Sequence, residues 1–163
     1  MTDAPRNLIH LWDYGWLDRD EVTIPSCNTV SEVIAAYFRS ESFGTSFVGP
    51  LPDRFPDLHG PFQRSAVSED DFIPISSSEF AAHLRALRQP DGFTSPADDD
   101  QWRAVENAAS ELERNHSWLI MFRLTEQHRE KFHEWGSVLD IFREFLFANP
   151  HSERLSRFII GYD

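Results

Sequence analysis

The sequence predicts an α+β fold with mixed α/β character at its C-terminal end: a single sheet of four to six strands with three or four helices packed on it. Three observations carry this expectation. Residues 117–125 read S-W-L-I-M-F-R-L-T, where Trp118, Ile120, Phe122 and Leu124 alternate with Leu119 and Met121. A strand that is apolar on both faces lies inside a sheet covered on both sides. Apolar stripes at 3-4 spacing follow capping signals at Thr29, Ser76 and Ser95, as core-facing helices require. A long amphipathic pattern over 126–146 then precedes a strand pattern over 155–162, which predicts a C-terminal β-α-β unit with a parallel strand pair. At 163 residues the chain is expected to be a single globular domain over 1–163.

In chain order, 8–12 (L-I-H-L-W) has strand alternation and ends at Asp13-Tyr14-Gly15. The next stretch, 16–24, is expected to return as a hairpin through Asp18-Arg19-Asp20, with Val22 and Ile24 on a common face. Thr29 and Glu32 form a capping box, and Val30, Val33, Ile34, Tyr37 and Phe38 make the buried stripe of the helix that ends near Ser40. Thr45 to Val48 predicts a short strand. Residues 49–65 contain Pro50, Pro52, Pro56 and Pro61, which excludes a central strand or a helix and leaves a long connection carrying Leu51, Phe55, Leu58 and Phe62. Phe72 to Ile75 is an edge strand because Pro74 has no backbone donor.

Ser76 and Glu79 make a second capping box, followed by Phe80, Leu84 and Leu87. Ser95 as N-cap and Pro96 at the first helical position predict the next helix, with Trp102, Val105, Ala109 and Leu112 buried and Asn115 as its C-cap. From 126 onward Phe132, Trp135, Leu139, Phe142 and Leu146 keep helical spacing through Gly136. Burial of several large side chains outweighs the roughly 1 kcal/mol cost of a helical glycine, so one long helix ending at Asn149-Pro150 is expected. Phe158, Ile160 and Tyr162 then form one face of a final strand, and Leu155 and Ile159 the other.

Charge is the most informative part of the composition. The formal net charge is −12, with nine basic and twenty acidic residues in 1–116 against six and seven in 117–163. An acidic field of this size repels phosphate backbones and anionic lipid surfaces and attracts basic proteins. Direct nucleic-acid or membrane binding is therefore not expected. No apolar run approaches the roughly 20 residues that span a bilayer, and the first residues lack a signal-peptide pattern. With a single cysteine, these features predict a soluble, cytoplasmic bacterial protein without disulfides.

Reactive motifs are sparse. Cys27 lies two residues before the N-cap Thr29, where a helix dipole lowers a thiol pKa, and a nucleophilic role would need His10, His59 or His116 beside it. His116, His128 and His133 accompany Glu126, Glu130 and Glu134, yet His128 and His133 stand five apart instead of the four a helical metal pair needs. The carboxylates therefore read as a solvated helix face. Asp98-Asp99-Asp100 is not followed by an EF-hand register and complements a helix dipole. No glycine-rich phosphate cradle occurs, and neither a cofactor nor a metal is expected.

The expectation is a non-enzymatic acidic binding protein that inhibits a basic partner such as a toxin or nuclease domain. Small size, acidity and the lack of motifs resemble immunity proteins in type, although no stretch carries a family signature. The partner-binding residues predicted are Asp98, Asp99, Asp100, Glu106, Glu111 and Glu113, then Glu69, Asp70 and Asp71, with Phe55 and Phe62 of the proline-rich connection as apolar anchors. This requires the carboxylates of the first two thirds to form one continuous surface. The competing expectations are a cysteine-dependent enzyme built on Cys27 and an acidic mimic of nucleic acid, of phage or host origin.

Overall fold

The computed structural model describes residues 7–11, 15–45, 56–88, 97–132 and 141–162. The fold is α+β, and its main sheet has six strands in the order β1-β2-β8-β7-β6-β5. These are β1 (Asn7–Leu11), β2 (Gly15–Thr23), β5 (Phe72–Pro74), β6 (Trp118–Phe122), β7 (Ile141–Ala148) and β8 (Arg154–Tyr162). Every neighbouring pair is antiparallel. A second, two-stranded ladder joins β3 (Leu58–His59) to β4 (Phe62–Gln63). The described residues also hold four α-helices, α1 (Val30–Arg39), α2 (Ser77–Arg88), α3 (Asp99–Asn115) and the single turn α4 (Glu126–Arg129), and three short 3-10 turns at Glu41–Phe43, Arg64–Ala66 and Glu69–Asp71.

Strand parity distributes the core into two layers. Val22, Ile120, Phe122, Phe142, Leu146, Leu155 and Ile159 pack on one face of the sheet with α1, Phe43, Phe62 and Phe72. Leu17, Phe145, Phe147, Phe158 and Ile160 pack on the other face with α2 and α3. Strand β6 is interior and divides as its alternation predicts, Ile120 and Phe122 to the α1 side and Leu119 and Met121 to the α2/α3 side. Both layers are rich in aromatic rings, whose large areas dominate burial energetics.

The helix stripes fall where their spacing places them. Val33, Ile34 and Tyr37 are buried on α1, Phe80, Leu84 and Leu87 on α2, and Trp102, Val105, Ala109 and Leu112 on α3. Thr29 caps α1 by accepting from the Glu32 amide at 3.2 Å, while the Glu32 carboxylate accepts from the Asn28 amide at 2.6 Å. Ser76 and Glu79 cap α2 reciprocally.

Four expectations are corrected. The C-terminal β-α-β unit and its parallel pair are absent: after the one-turn α4, residues 141–148 form strand β7, which lies between β6 and β8 and pairs antiparallel with both. The stretch I-F-R-E-F-L-F-A satisfies helical spacing only because a strand apolar on both faces has side chains at every spacing, and its Phe and Ile content favours the strand. The Asp18-Arg19-Asp20 turn is also absent, since β2 runs unbroken through it: Asp18 and Arg19 pair with both β1 and β8, and Asp20 pairs with Arg157 of β8. Helix α3 starts at Asp99 with Asp98 as N-cap: Asp98 Oδ1 accepts from the Gln101 amide at 2.7 Å and Gln101 Oε1 accepts from the Asp98 amide at 3.0 Å. Its C-cap is His116, one residue beyond Asn115. Residues 46–48 of the predicted short strand, as well as Trp12, Ser95, Pro96, His133 and Glu134, lie outside the described residues.

Candidate functional site

The sheet face under α1 carries a row of charged side chains at positions that alternation turns inward. Asp20 of β2 stands directly opposite Arg157 of β8, while Asp18 and Glu144 both stand opposite Ile159 from the two flanking strands. Asp18, Glu144 and Arg157 are buried. Charged groups persist in such a place only when paired and hydrogen-bonded.

The pairing is extensive. Arg157 makes a two-pronged contact with Asp20, Nε donating to Oδ1 at 2.7 Å and Nη2 to Oδ2. Its Nη1 donates to the Ser42 carbonyl at 2.7 Å and to the Tyr37 hydroxyl at 3.3 Å. Tyr37 in turn donates to Glu144 Oε1 at 2.5 Å. The other carboxylate oxygen, Oε2, lies 2.7 Å from His59 Nε2, and His59 Nδ1 lies 2.8 Å from the Phe43 carbonyl. Burial, followed by the Glu144 charge, pushes the Tyr37 hydroxyl well above the usual tyrosine range. Burial opposes the charge on Arg157, but Tyr37 and Asp20 more than offset it and hold the guanidinium more firmly protonated than a free arginine. The His59 ring stacks on Phe43 at 3.9 Å, and the Arg64 guanidinium lies over the outer side of Phe43 at 4.6 Å.

This network was not among the predicted site residues, although a signal exists. Once 141–148 is placed as a strand, Phe142, Glu144 and Leu146 share the inward face, and a core carboxylate demands partners. Outside the network, Phe38, Asp57, Leu58, Gln63, Arg64, Ser65 and Val67 line an open cavity of about 610 Å³.

The predicted partner-binding carboxylates separate into two groups on opposite faces of the sheet. Asp98, Asp99, Asp100, Glu106, Glu111 and Glu113 belong to the N-cap and body of α3, which packs on one face, whereas Glu69, Asp70 and Asp71 form a 3-10 turn beside α1 on the other. Among the described residues the sheet keeps the two groups apart. On α3 several are paired: Asp99 with Arg88 at 2.8 Å, Asp100 with Arg103 at 2.8 Å and Glu111 with Arg19 at 2.9 Å. The Arg19 hydrogen bond lowers the Glu111 pKa. Glu106 accepts from Trp102 Nε1 at 3.1 Å. Asp71 is occupied structurally, accepting from the Ser68 amide at 2.7 Å and lying 3.1 Å from His128 Nε2.

The anchors differ as well. Phe62 faces inward among Phe122, His128, Phe132 and Phe142, so it is a core residue and offers no ring to a partner. Phe55 lies outside the described residues. His128, set aside as a metal ligand on its spacing from His133, is buried with its Nδ1 accepting from the Thr125 amide at 2.9 Å.

Cys27 is buried, and its Sγ donates to the Pro25 carbonyl at 3.1 Å. Burial, then the Glu32 charge, raises its pKa, opposite to the activation a nucleophile needs. Two of the histidines proposed to activate it are engaged elsewhere: His59 in the network and His116 Nδ1 with the Leu112 carbonyl at 2.8 Å. Among the described residues no three His, Cys, Asp or Glu side chains converge as metal ligands, and no helix is long and apolar enough to cross a membrane. Comparison with protein-family models, with curated protein sequences and with solved structures returned no match.

Proposed function

We propose that the chain is a non-enzymatic binding protein that engages a basic protein through the solvent face of α3, an inhibitor of the immunity type acting on a cationic toxin or nuclease domain being the concrete instance. The observation that supports this reading is the exposure of acidic side chains on a firmly seated helix. The Asp99 and Asp100 side chains are 82% and 89% exposed, and Glu106 and Glu111 are also exposed. Beneath them Trp102, Val105, Ala109 and Leu112 anchor α3 in the core, so the carboxylates are displayed from a rigid element.

The ion pairs on this face leave its carboxylates open to exchange with a partner. Exposed pairs contribute only about 0–1 kcal/mol, so Arg88 and Arg103 yield readily to a partner's arginine or lysine. The overall charge of −12 adds long-range attraction that speeds encounter and weakens with salt. The test is binding to a cationic nuclease domain over a salt series, comparing the wild type with D99N/D100N/E106Q/E111Q. Expected is an association rate that falls steeply with salt in the wild type, and a variant that associates about tenfold more slowly with a shallower salt slope. Equal rates and equal slopes refute the proposal.

A further inference from the structure

We infer that His59 and Glu144 share a single proton, and that this proton latches residues 56–67 onto the sheet. The inference is independent of the acidic face of α3. It follows from counting donors and acceptors. The Phe43 carbonyl can only accept, so His59 Nδ1, 2.8 Å away, carries a hydrogen. The 2.7 Å contact between His59 Nε2 and Glu144 Oε2 then needs one hydrogen between the two atoms. Glu144 Oε1 already accepts from Tyr37, whose oxygen is approached by Arg157 Nη1 and so sends its own hydrogen to the carboxylate.

Any other proton count breaks the contact. With the shared proton removed, a carboxylate oxygen faces an imidazole lone pair. With a second proton, an O–H on Glu144 meets either the N–H of His59 or the O–H of Tyr37. Both side chains are fully buried, so water cannot repair the mismatch in place. The charged and titratable groups that face the pair are Tyr37 from α1, Arg157 from β8 and Asp18 and Asp20 from β2, with Arg64 on the outer side of the Phe43 ring. Arg157 and Asp20 offset one another across the β2–β8 pair, so what fixes the proton count at the contact is the matching of donors to acceptors.

The latch acts on one segment. His59 is the buried polar plug by which 56–67 enters the core; Phe62 packs beside it, and the Gly60 amide donates to the Thr45 carbonyl at 2.9 Å and the Gln63 amide to the Lys131 carbonyl at 2.9 Å. Gly60, next to His59, has φ +54° and sits so near the Phe142 ring that a Cβ would lie 2.6 Å from it, so the segment lies close against the sheet at this point. Asp57, Leu58, Gln63, Arg64, Ser65 and Val67 supply all of the cavity wall except Phe38. Release of the latch therefore loosens that wall at its His59 end while the sheet persists.

The test combines two measurements on the full chain. Nitrogen-15 NMR of the imidazoles in the wild type is expected to show a proton on His59 Nδ1; an unprotonated Nδ1 refutes the latch. Amide exchange at Gly60, Gln63 and Arg64, relative to global unfolding, is then followed from about pH 5 to about pH 9. The wild type is expected to lose local protection by about tenfold or more at each end of the range. In E144Q the carboxamide donates to a neutral Nε2 and still accepts from Tyr37, so the alkaline loss should vanish. A wild type with flat local protection, or an E144Q variant that copies the wild-type profile, overturns the proposal; the wild-type measurements decide by themselves if E144Q does not fold.

Discussion

The two faces of the sheet are buried to a similar depth by different chemistry. Under α2 and α3 the centre is a cluster of rings, with Phe80 set edge-on against Phe145, Phe147 and Phe158 at 4.8, 5.3 and 5.8 Å. No charged side chain belongs to that core among the described residues. Under α1 the apolar packing surrounds Asp18, His59, Glu144 and Arg157, and every contact must match a donor to an acceptor. The first face is sensitive to lost volume and tolerant of pH. The second tolerates little change in proton or charge count, even when shape is kept. A packed polar row of this kind favours one arrangement over its alternatives, because each mispairing strands a buried group.

The contrast is tested most severely by single truncations on each side. Arg157→Ala leaves Asp20, Tyr37 and the Ser42 carbonyl without their donor, and Phe80→Ala empties the ring cluster; each should cost about 3–5 kcal/mol in denaturant unfolding. The mechanisms separate on combination. Replacing Asp20 along with Arg157, both by apolar residues, should recover about 1–3 kcal/mol relative to the summed single losses, and strict additivity would show that the row is not coupled. Tyr37→Phe removes one hydroxyl between two buried charges and should lower stability by about 1–3 kcal/mol. Ile160→Val, fully buried on the ring side, should cost only about 0.5–1.5 kcal/mol.

The smallest expected effect concerns the rim of the apolar face. Burial, then the charge of Arg143, lowers the pKa of His83. The unfolded chain therefore binds the proton more readily, and the contribution of His83 is fully present above the ordinary imidazole pKa and shrinks as pH falls toward its lowered folded value. Unfolding midpoints measured across that window should decline slightly in the wild type, and less in His83→Gln.

Much of the scaffold was legible in the sequence. The alternation at 118–122 placed β6 inside the sheet, and the capping residues Thr29 and Ser76 with their stripes placed α1 and α2. The Ser95-Pro96 cue gave way to Asp98, because Gln at the third helical position completes a reciprocal cap as well as Glu does. The error at 141–148 arose because an apolar strand covered on both sides satisfies a helical template. It also hid the buried network, since Glu144 on a helix surface needs no explanation, whereas Glu144 on the inward side of a strand does. The acidic residues of α3 were legible as exposed helix positions, but their separation from Glu69 and Asp70 depends on which face of the sheet each element covers, and that is set by tertiary pairing.

The strand order has a kinetic consequence. The links β6 to β7 and β7 to β8 join segments close in the chain, and so does β1 to β2. The seam between β2 and β8 instead ties together residues such as Asp20 and Arg157, separated by 137 positions. Two locally formed ribbons must therefore meet before the six-stranded sheet exists, and the entropy of closing that large ring is spent ahead of its reward. Docking of the N-terminal ribbon onto the C-terminal meander should set the folding rate, with the Asp20 to Arg157 clasp marking the correct register at the junction.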